Sequence, residues 1–171
     1  YRFGPRVVFA YRIGATEYLD SPWHEGGEFR REIAPAESDP LKEVLQGGPR
    51  QWPQQIRVDG ALGQGSPYAV DTIPLPIANP WRMPLFCGDH AFLRDGSALV
   101  CTMHGDVWKS SPLDDSLQDV VWTRFASGLH QPLGMVVDDD QIYVMGRDQL
   151  TRLHDLNNDG EADFYESVSN K

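Results

Sequence analysis

Apolar and polar residues alternate with a period of two along much of this chain, the pattern of half-buried strands. Arg6 to Ile13 sets Val8 and Ala10 against Val7, Phe9 and Tyr11 and predicts a strand. Gly14-Ala15 turns the chain, and Glu17-Tyr18-Leu19 returns as the second arm of a hairpin. Glu28 to Ile33, Gln55 to Leu62 and Tyr68 to Ile73 read as further strands. Ala36 to Gly48 is ambiguous; Asp39-Pro40 can open a short helix through Leu41 to Leu45, ended by Gly47-Gly48. Pro74, Pro76, Pro80 and Pro84 then remove donors and restrict their neighbours, so residues 74–84 read as an extended linker. Residues 1–73 thus form a β-sandwich-like or jelly-roll portion, and residues 85–171 a second region.

That second region repeats. Phe92 to Gly96, Leu99 to Cys101 and Gly105 to Trp108 make one unit; Val136 to Asp140, Ile142 to Val144 and Asp148 to Thr151 make another. Val100 and Tyr143 are 43 residues apart, as are Val107 and Leu150. Several short strands per unit at this period mark the blades of a β-propeller. Val120 to Phe125 supplies an outer strand of the first blade. The competing reading is two unrelated β-meanders. The fold class is all-β: the end of a β-sandwich-like domain followed by the first blades, about two, of a propeller. Rings need roughly four to eight blades, so the remaining ones lie in the same or another chain.

Asp155 to Glu166 matches the calcium-loop pattern D-x-[DN]-x-[DN]-G-x5-E. Calcium takes six to eight hard oxygens. Asp155, Asn157 and Asp159 supply them at alternating positions, and Gly160 permits the sharp turn. The Glu161 carbonyl and Asp163 come next, and Glu166 can close the cage with two oxygens. The flanks alternate with period two, so this loop joins strands and is not an EF-hand. The alternative is an Asx-rich hairpin turn without metal.

Composition narrows the partners. The chain has 171 residues, 40% of them apolar, and a net charge of −10. That charge argues against nucleic acid and anionic membrane as partners. No apolar run approaches the length of a membrane span. The start at Tyr1, directly before a strand, reads as a piece of a longer or processed chain. Cys87 and Cys101 fall on neighbouring strands and are either a disulfide or two buried thiols; neither forms a C-x-x-C or C-x-x-C-H motif.

Gly105 to Trp108, Gly128 to Met135 and Gly146 to Asp163 carry a resemblance. They look like large secreted proteins of planctomycete type, with an N-terminal β-rich region and a propeller similar to soluble quinoprotein glucose and sorbosone dehydrogenases. A c-type cytochrome domain often follows. The resemblance covers residues 85–171 well and residues 1–80 loosely. It implies a periplasmic or extracellular, oxidoreductase-like protein passing electrons from a sugar or alcohol to a c-type cytochrome. It also implies pyrroloquinoline quinone or haem in the wider protein. A base and an electrostatic clamp are what hydride abstraction requires, and His130 and Arg147 are the candidates in this segment, with His90 and His104 behind them. Asp89-His90 with His104 and Asp106 can also be read as zinc or iron ligands, against a plain polar network of the strand turns. Among the five tryptophans, Trp108 reads as core, Trp52 and Trp81 as cover for a junction, and Trp23-His24 as the exposed pair suited to carbohydrate. The rival to the oxidoreductase reading is a non-catalytic glycan- or protein-binding scaffold within a larger assembly.

Overall fold

Tight turns set the layout. The computed structural model describes residues 1–38 and 41–171. β1 (Arg2–Phe3) and β2 (Arg6–Val7) form a two-stranded ladder. β3 (Phe9–Ile13), β4 (Thr16–Glu25) and β5 (Glu28–Pro35) follow as an antiparallel meander. Gly26 and Gly27 both have positive φ and join β4 to β5 in a two-residue loop, a conformation that costs glycine little. Alternation along this sheet puts Ala10, Leu19 and Ala34 inward, against Val8, Ala36 and the 3-10 helix Leu41–Gln46, whose Leu41 and Val44 are buried. Phe9, Ile13 and Ile33 lie on the other face and stay exposed. The short helix expected over Leu41 to Leu45 is this 3-10 helix; its expected start, Asp39-Pro40, lies outside the described residues.

Two antiparallel meanders follow. β6 (Gln55–Val58), β7 (Cys87–Phe92), β8 (Ala98–Thr102), β9 (Val107–Ser111) and β10 (Val120–Ala126) form one sheet in the order β6-β10-β9-β8-β7. β11 (Gly134–Asp138), β12 (Gln141–Met145), β13 (Leu150–His154) and β14 (Phe164–Ser169) form the next, in sequence order. Each therefore contains a four-stranded up-and-down unit, the topology of a propeller blade. The repeat of 43 is structural: β8 and β12, and β9 and β13, begin that far apart. The preceding strands keep a different offset because their turns differ. Leu93 to Ser97 joins β7 to β8, whereas Asp139-Asp140 alone joins β11 to β12, with both aspartates at positive φ. Asp tolerates that region because its short side chain bonds locally.

The two meanders meet along β7 and β11. Asp89 of β7 accepts the Met135 N–H of β11 at 2.8 Å. Gly88 lies under the Pro132 carbonyl, which a Cβ there would approach to 2.6 Å. Arg94 donates its N–H to Asp140 at 2.9 Å and its guanidinium to Asp139.

Behind β9 and β10 sits a buried charge. Arg124 donates to Asp106 at 2.6 Å and to Ser127 at 2.8 Å, with both members of the ion pair almost wholly buried. Desolvating such a pair costs several kcal/mol per ion. Tryptophan rings offset part of that cost: the guanidinium lies 4.6 Å from the Trp52 ring centre and 5.4 Å from that of Trp81. Trp81 meets Trp108 edge-on at 5.7 Å. Trp108 is fully buried, the core role expected of it.

Two expectations are revised. Tyr68 to Ile73 is not a strand; among the described residues it makes one bridge, Ala61 with Thr72. Tyr68 and Val70 are exposed, so their alternation has no core to face, and Gly63 brings the chain back within 2.4 Å of a would-be Cβ. The proline-rich stretch 74–84 is free of strands but packed: Trp81 lies on Arg124, and the Pro74 carbonyl accepts Trp122 Nε1–H at 3.0 Å. The chain divides instead between Gln51 and Trp52. One compact unit holds residues 1–51 with 154–165, the other residues 52–153 with 166–171. No helix among the described residues is long and apolar enough to cross a membrane.

Removing Arg124 strands the Asp106 carboxylate. Arg124→Ala lowers stability by about 3–5 kcal/mol, read as a lower urea midpoint with an unchanged slope. Asp89 gives a pH signature. The Met135 N–H, then the His90 N–H, hold its carboxyl below the ordinary carboxylate range. Its contribution is therefore present above the unfolded value of about 3.9 and is lost as pH falls through the depressed folded value. Asp89→Asn costs about 1 kcal/mol at pH 7, and the gap to wild type closes under acid, as thermal melts at about pH 7 and pH 3 will show.

Candidate metal centre

The segment between β13 and β14 folds around its own acidic side chains. Asp155 accepts the Asp159 N–H on Oδ1 at 3.1 Å and the Gly160 N–H on Oδ2 at 2.8 Å. Asn157 Oδ1 accepts the Asp159 N–H at 3.1 Å, and Asp159 Oδ1 accepts the Glu161 N–H at 2.9 Å. Asn158 and Gly160 take positive φ, which winds the backbone tightly enough for these bonds to form. Aspartate and asparagine favour such local side-chain-to-backbone bonds, so the sequence pattern directly produces the curl.

The same segment captures distant backbone. Asp163 accepts the Gly48 N–H on Oδ1 at 2.8 Å and the Leu156 N–H on Oδ2 at 2.9 Å. Glu161 accepts the Gln51 N–H on both carboxylate oxygens at 3.0 Å. Asn157 Nδ2 donates to the Gly48 carbonyl at 2.8 Å, and the Arg2 N–H donates to the Asp163 carbonyl at 2.6 Å. Aromatic rings close the flank: Tyr1 stacks on Phe164 at 4.3 Å, and Phe164 on His154 at 5.2 Å.

Asp163 is buried, and burial pushes its carboxyl up from the usual carboxylate range. The N–H groups of Gly48 and Leu156 oppose that, and the charges of Asp159 and Asp155 add to it. The three carboxylates therefore repel one another through the loop. Each accepts from backbone N–H donors, and a carboxylate oxygen has a second lone pair for a cation. Asp155, Asn157, Asp159 and Asp163 are thus a chemically suitable hard-oxygen set, with the Glu161 carbonyl as the backbone member. The Glu161 side chain is turned to Gln51, which leaves its carbonyl as its only fitting contribution. Glu166 lies in β14, with Oε2 3.8 Å from Arg152 Nη1. Among the described residues no group of three or more His, Cys, Asp or Glu side chains is placed to hold a metal ion. The oxygen set of this loop also draws on the Asn157 amide and the Glu161 carbonyl.

Two of the other candidates do come together. His130 Nδ1 lies 4.0 Å from Asp148 Oδ1, the His130 carbonyl accepts the Arg147 N–H at 2.8 Å, and Arg147 Nη1 donates to Gln131 at 3.2 Å. His130 and Arg147 therefore share one exposed corner before β11. His90, His104, Asp89 and Asp106 have separate surroundings. Asp106 faces Arg124, Asp89 holds two backbone N–H groups, His90 packs edge-on to Phe92 and His104 against Phe86. Cys87 is exposed and Cys101 buried; both are free thiols, and burial pushes both upward from the ordinary thiol range.

Sequence reasoning missed Gly47, Gly48 and Gln51. Gly47-Gly48 carried a signal, a glycine pair after an apolar run, but the signal read as a helix stop. Compared with known proteins, the chain matches no family model, no curated protein and no solved structure.

Gly47 tests the packing of this loop. It has φ of +88°, and a Cβ there would lie 2.8 Å from Asp163 Oδ2 and 3.1 Å from Asn157 Cβ. Gly47→Ala therefore costs about 1–3 kcal/mol, measured by chemical denaturation.

Proposed function

We propose that this chain is a calcium-binding segment of a propeller protein, in which the metal is structural and the exposed surfaces serve recognition. One observation carries the reading. Asp155, Asp159 and Asp163 are held in one tight loop by N–H donors, near enough for their charges to act on one another, and Asp163 is buried. A divalent cation relieves that repulsion without disturbing the bonds to Gly48 and Leu156. Asp155, Asn157, Asp159 and Asp163 hold it by side chains, and Glu161 by its carbonyl. Calcium suits a flexible all-oxygen set better than magnesium, which demands near-octahedral geometry. When bound, it supplies charge neutralisation and rigidity; the chain's own residues then keep the backbone of residues 47–51 in place. Glu166 joins the set only by leaving Arg152. We place the protein in the periplasm or outside the cell, where weak calcium sites of this charge are filled.

A second reading has one observation in its favour. His130 and Arg147 lie in the same corner, as an oxidoreductase-like propeller handing electrons to a cytochrome would require of a base and a clamp. In that reading His130 takes the proton and Arg147 orients an acidic group, with pyrroloquinoline quinone or haem held by other parts of the protein. Quinone-dependent dye reduction on a panel of sugars and alcohols decides it.

Calcium at a hundred times its Kd stabilises by about 2.7 kcal/mol, so melting rises by about 5–11 °C in a chain of this size and returns on chelation. Asp159→Ala abolishes the rise, whereas Glu166→Gln keeps most of it. An unchanged melting curve at millimolar calcium overturns the proposal.

A further inference from the structure

An open groove of about 590 Å³ runs between the β1–β2 hairpin and the strands β4 and β5. That volume falls within the roughly 300–1,000 Å³ of small-molecule sites. Its floor is aromatic: Trp23, flanked by Pro22 and Pro5. Its polar groups are of three kinds, the guanidinium of Arg6, the imidazole of His24 and the carboxylate of Glu32.

Arg6 is fixed before any ligand arrives. It donates from Nη2 to Ser21 Oγ at 2.7 Å, and its guanidinium lies 5.3 Å from the Trp23 ring centre. Ser21 is itself fully buried. Among the described residues no carboxylate lies within ion-pair range of Arg6. Its charge is therefore not neutralised by a carboxylate, in a chain of net charge −10. The fork shape of guanidinium presents paired N–H groups to oxygen. Glu32 offers an acceptor across the same groove.

We infer that this groove binds a neutral saccharide chain, laid with a C–H face on Trp23 and its hydroxyls between Arg6 and Glu32. A sugar ring has an apolar face and hydroxyls that both donate and accept. That combination uses an aromatic floor, a cation and a carboxylate at once. A phosphate-bearing ligand is repelled by Glu32, and an apolar ligand leaves three polar groups without partners. The groove is open along its length, which suits an oligosaccharide rather than an engulfed monosaccharide. The inference stands apart from the metal loop: none of the groove residues belongs to Asp155–Asp163.

Calorimetry and tryptophan fluorescence on the full chain test it, with cello-, xylo- and chito-hexaoses as neutral probes and oligogalacturonate as the acidic one. At least one neutral probe binds saturably and changes the fluorescence. Trp23→Ala weakens binding about tenfold or more, Arg6→Gln about three- to tenfold, and Trp23→Phe keeps part of the affinity while removing the fluorescence change. Circular dichroism checks each fold; if Trp23→Ala unfolds, Trp23→Phe and Arg6→Gln carry the comparison. No saturable binding to any neutral probe at millimolar concentration overturns the inference. So does binding that Trp23 and Arg6 substitutions leave unchanged, or binding confined to oligogalacturonate or to an acidic peptide.

Discussion

A peptide N–H that leaves water must find an acceptor, and the first unit of this protein depends on that rule. Gly48 is buried, and its N–H reaches a carboxylate 115 residues further along. Gln51 does the same with Glu161, 110 residues away. These bonds are charge-assisted, which makes them stronger than ordinary backbone pairs. They draw a polar, acidic segment into the first unit although the strands on either side of it belong to another sheet. The arrangement carries its own difficulty. Side chains that satisfy buried donors bring like charges into a small volume, and N–H dipoles neutralise only part of that charge. The acidity of the loop and its role as a backbone clasp are therefore one physical fact.

The second unit meets a different constraint, the burial of Arg124. A guanidinium in a β-sheet core needs a counter-ion, and Asp106 provides it. It also needs surfaces that tolerate charge, and Trp52 and Trp81 provide those. The consequence reaches back along the sequence. Trp52 precedes β6, and Trp81 lies in the proline-rich stretch, so segments without strands of their own are tied to the blade by one side chain. Extended backbone with few donors is well suited to that work, because proline leaves fewer N–H groups to satisfy. A stretch that reads as a linker becomes packing material when an arginine gives it something to pack on.

Much of the fold was legible because it is local. The period-two alternation located β3, β8, β9, β12 and β13, and the offset of 43 between Val100 and Tyr143 located the blade repeat. The Asp155–Glu166 spacing located the acidic curl, since each Asx bond in it spans only a few residues. What was not legible is long-range. Tyr68 to Ile73 alternates as a strand does, yet no neighbour supplies a ladder, and its apolar side chains stay in water. Gly47-Gly48 ends a helical turn as expected, but its second reason for being glycine is the presence of Asp163 and Asn157 beside it. Nothing near Gly47 in sequence announces a partner beyond residue 150. Trp23 reads as exposed from its Pro/Gly surroundings but is half-buried, with the Arg6 guanidinium of a separate hairpin over its ring, a neighbour that spacing does not announce.

The distribution of charge separates structural chemistry from binding chemistry in this chain. A catalytic base needs reach to a substrate proton and freedom to exchange it. Asp163 has neither: it is buried, and both of its oxygens hold backbone. Asp106 is likewise enclosed by its arginine. His130 and Arg147 are exposed, and the partners shown for them are the His130 carbonyl and the side chains of Gln131 and Asp148. Arg6 differs from all of these. It is anchored by a buried hydroxyl and stacked on an indole, and among the described residues it has no carboxylate partner although it lines an open groove. Preorganisation beside an open groove is what distinguishes a binding group from an enclosed one, and by that criterion the proposed recognition surface is Trp23 and Arg6 rather than the acidic loop.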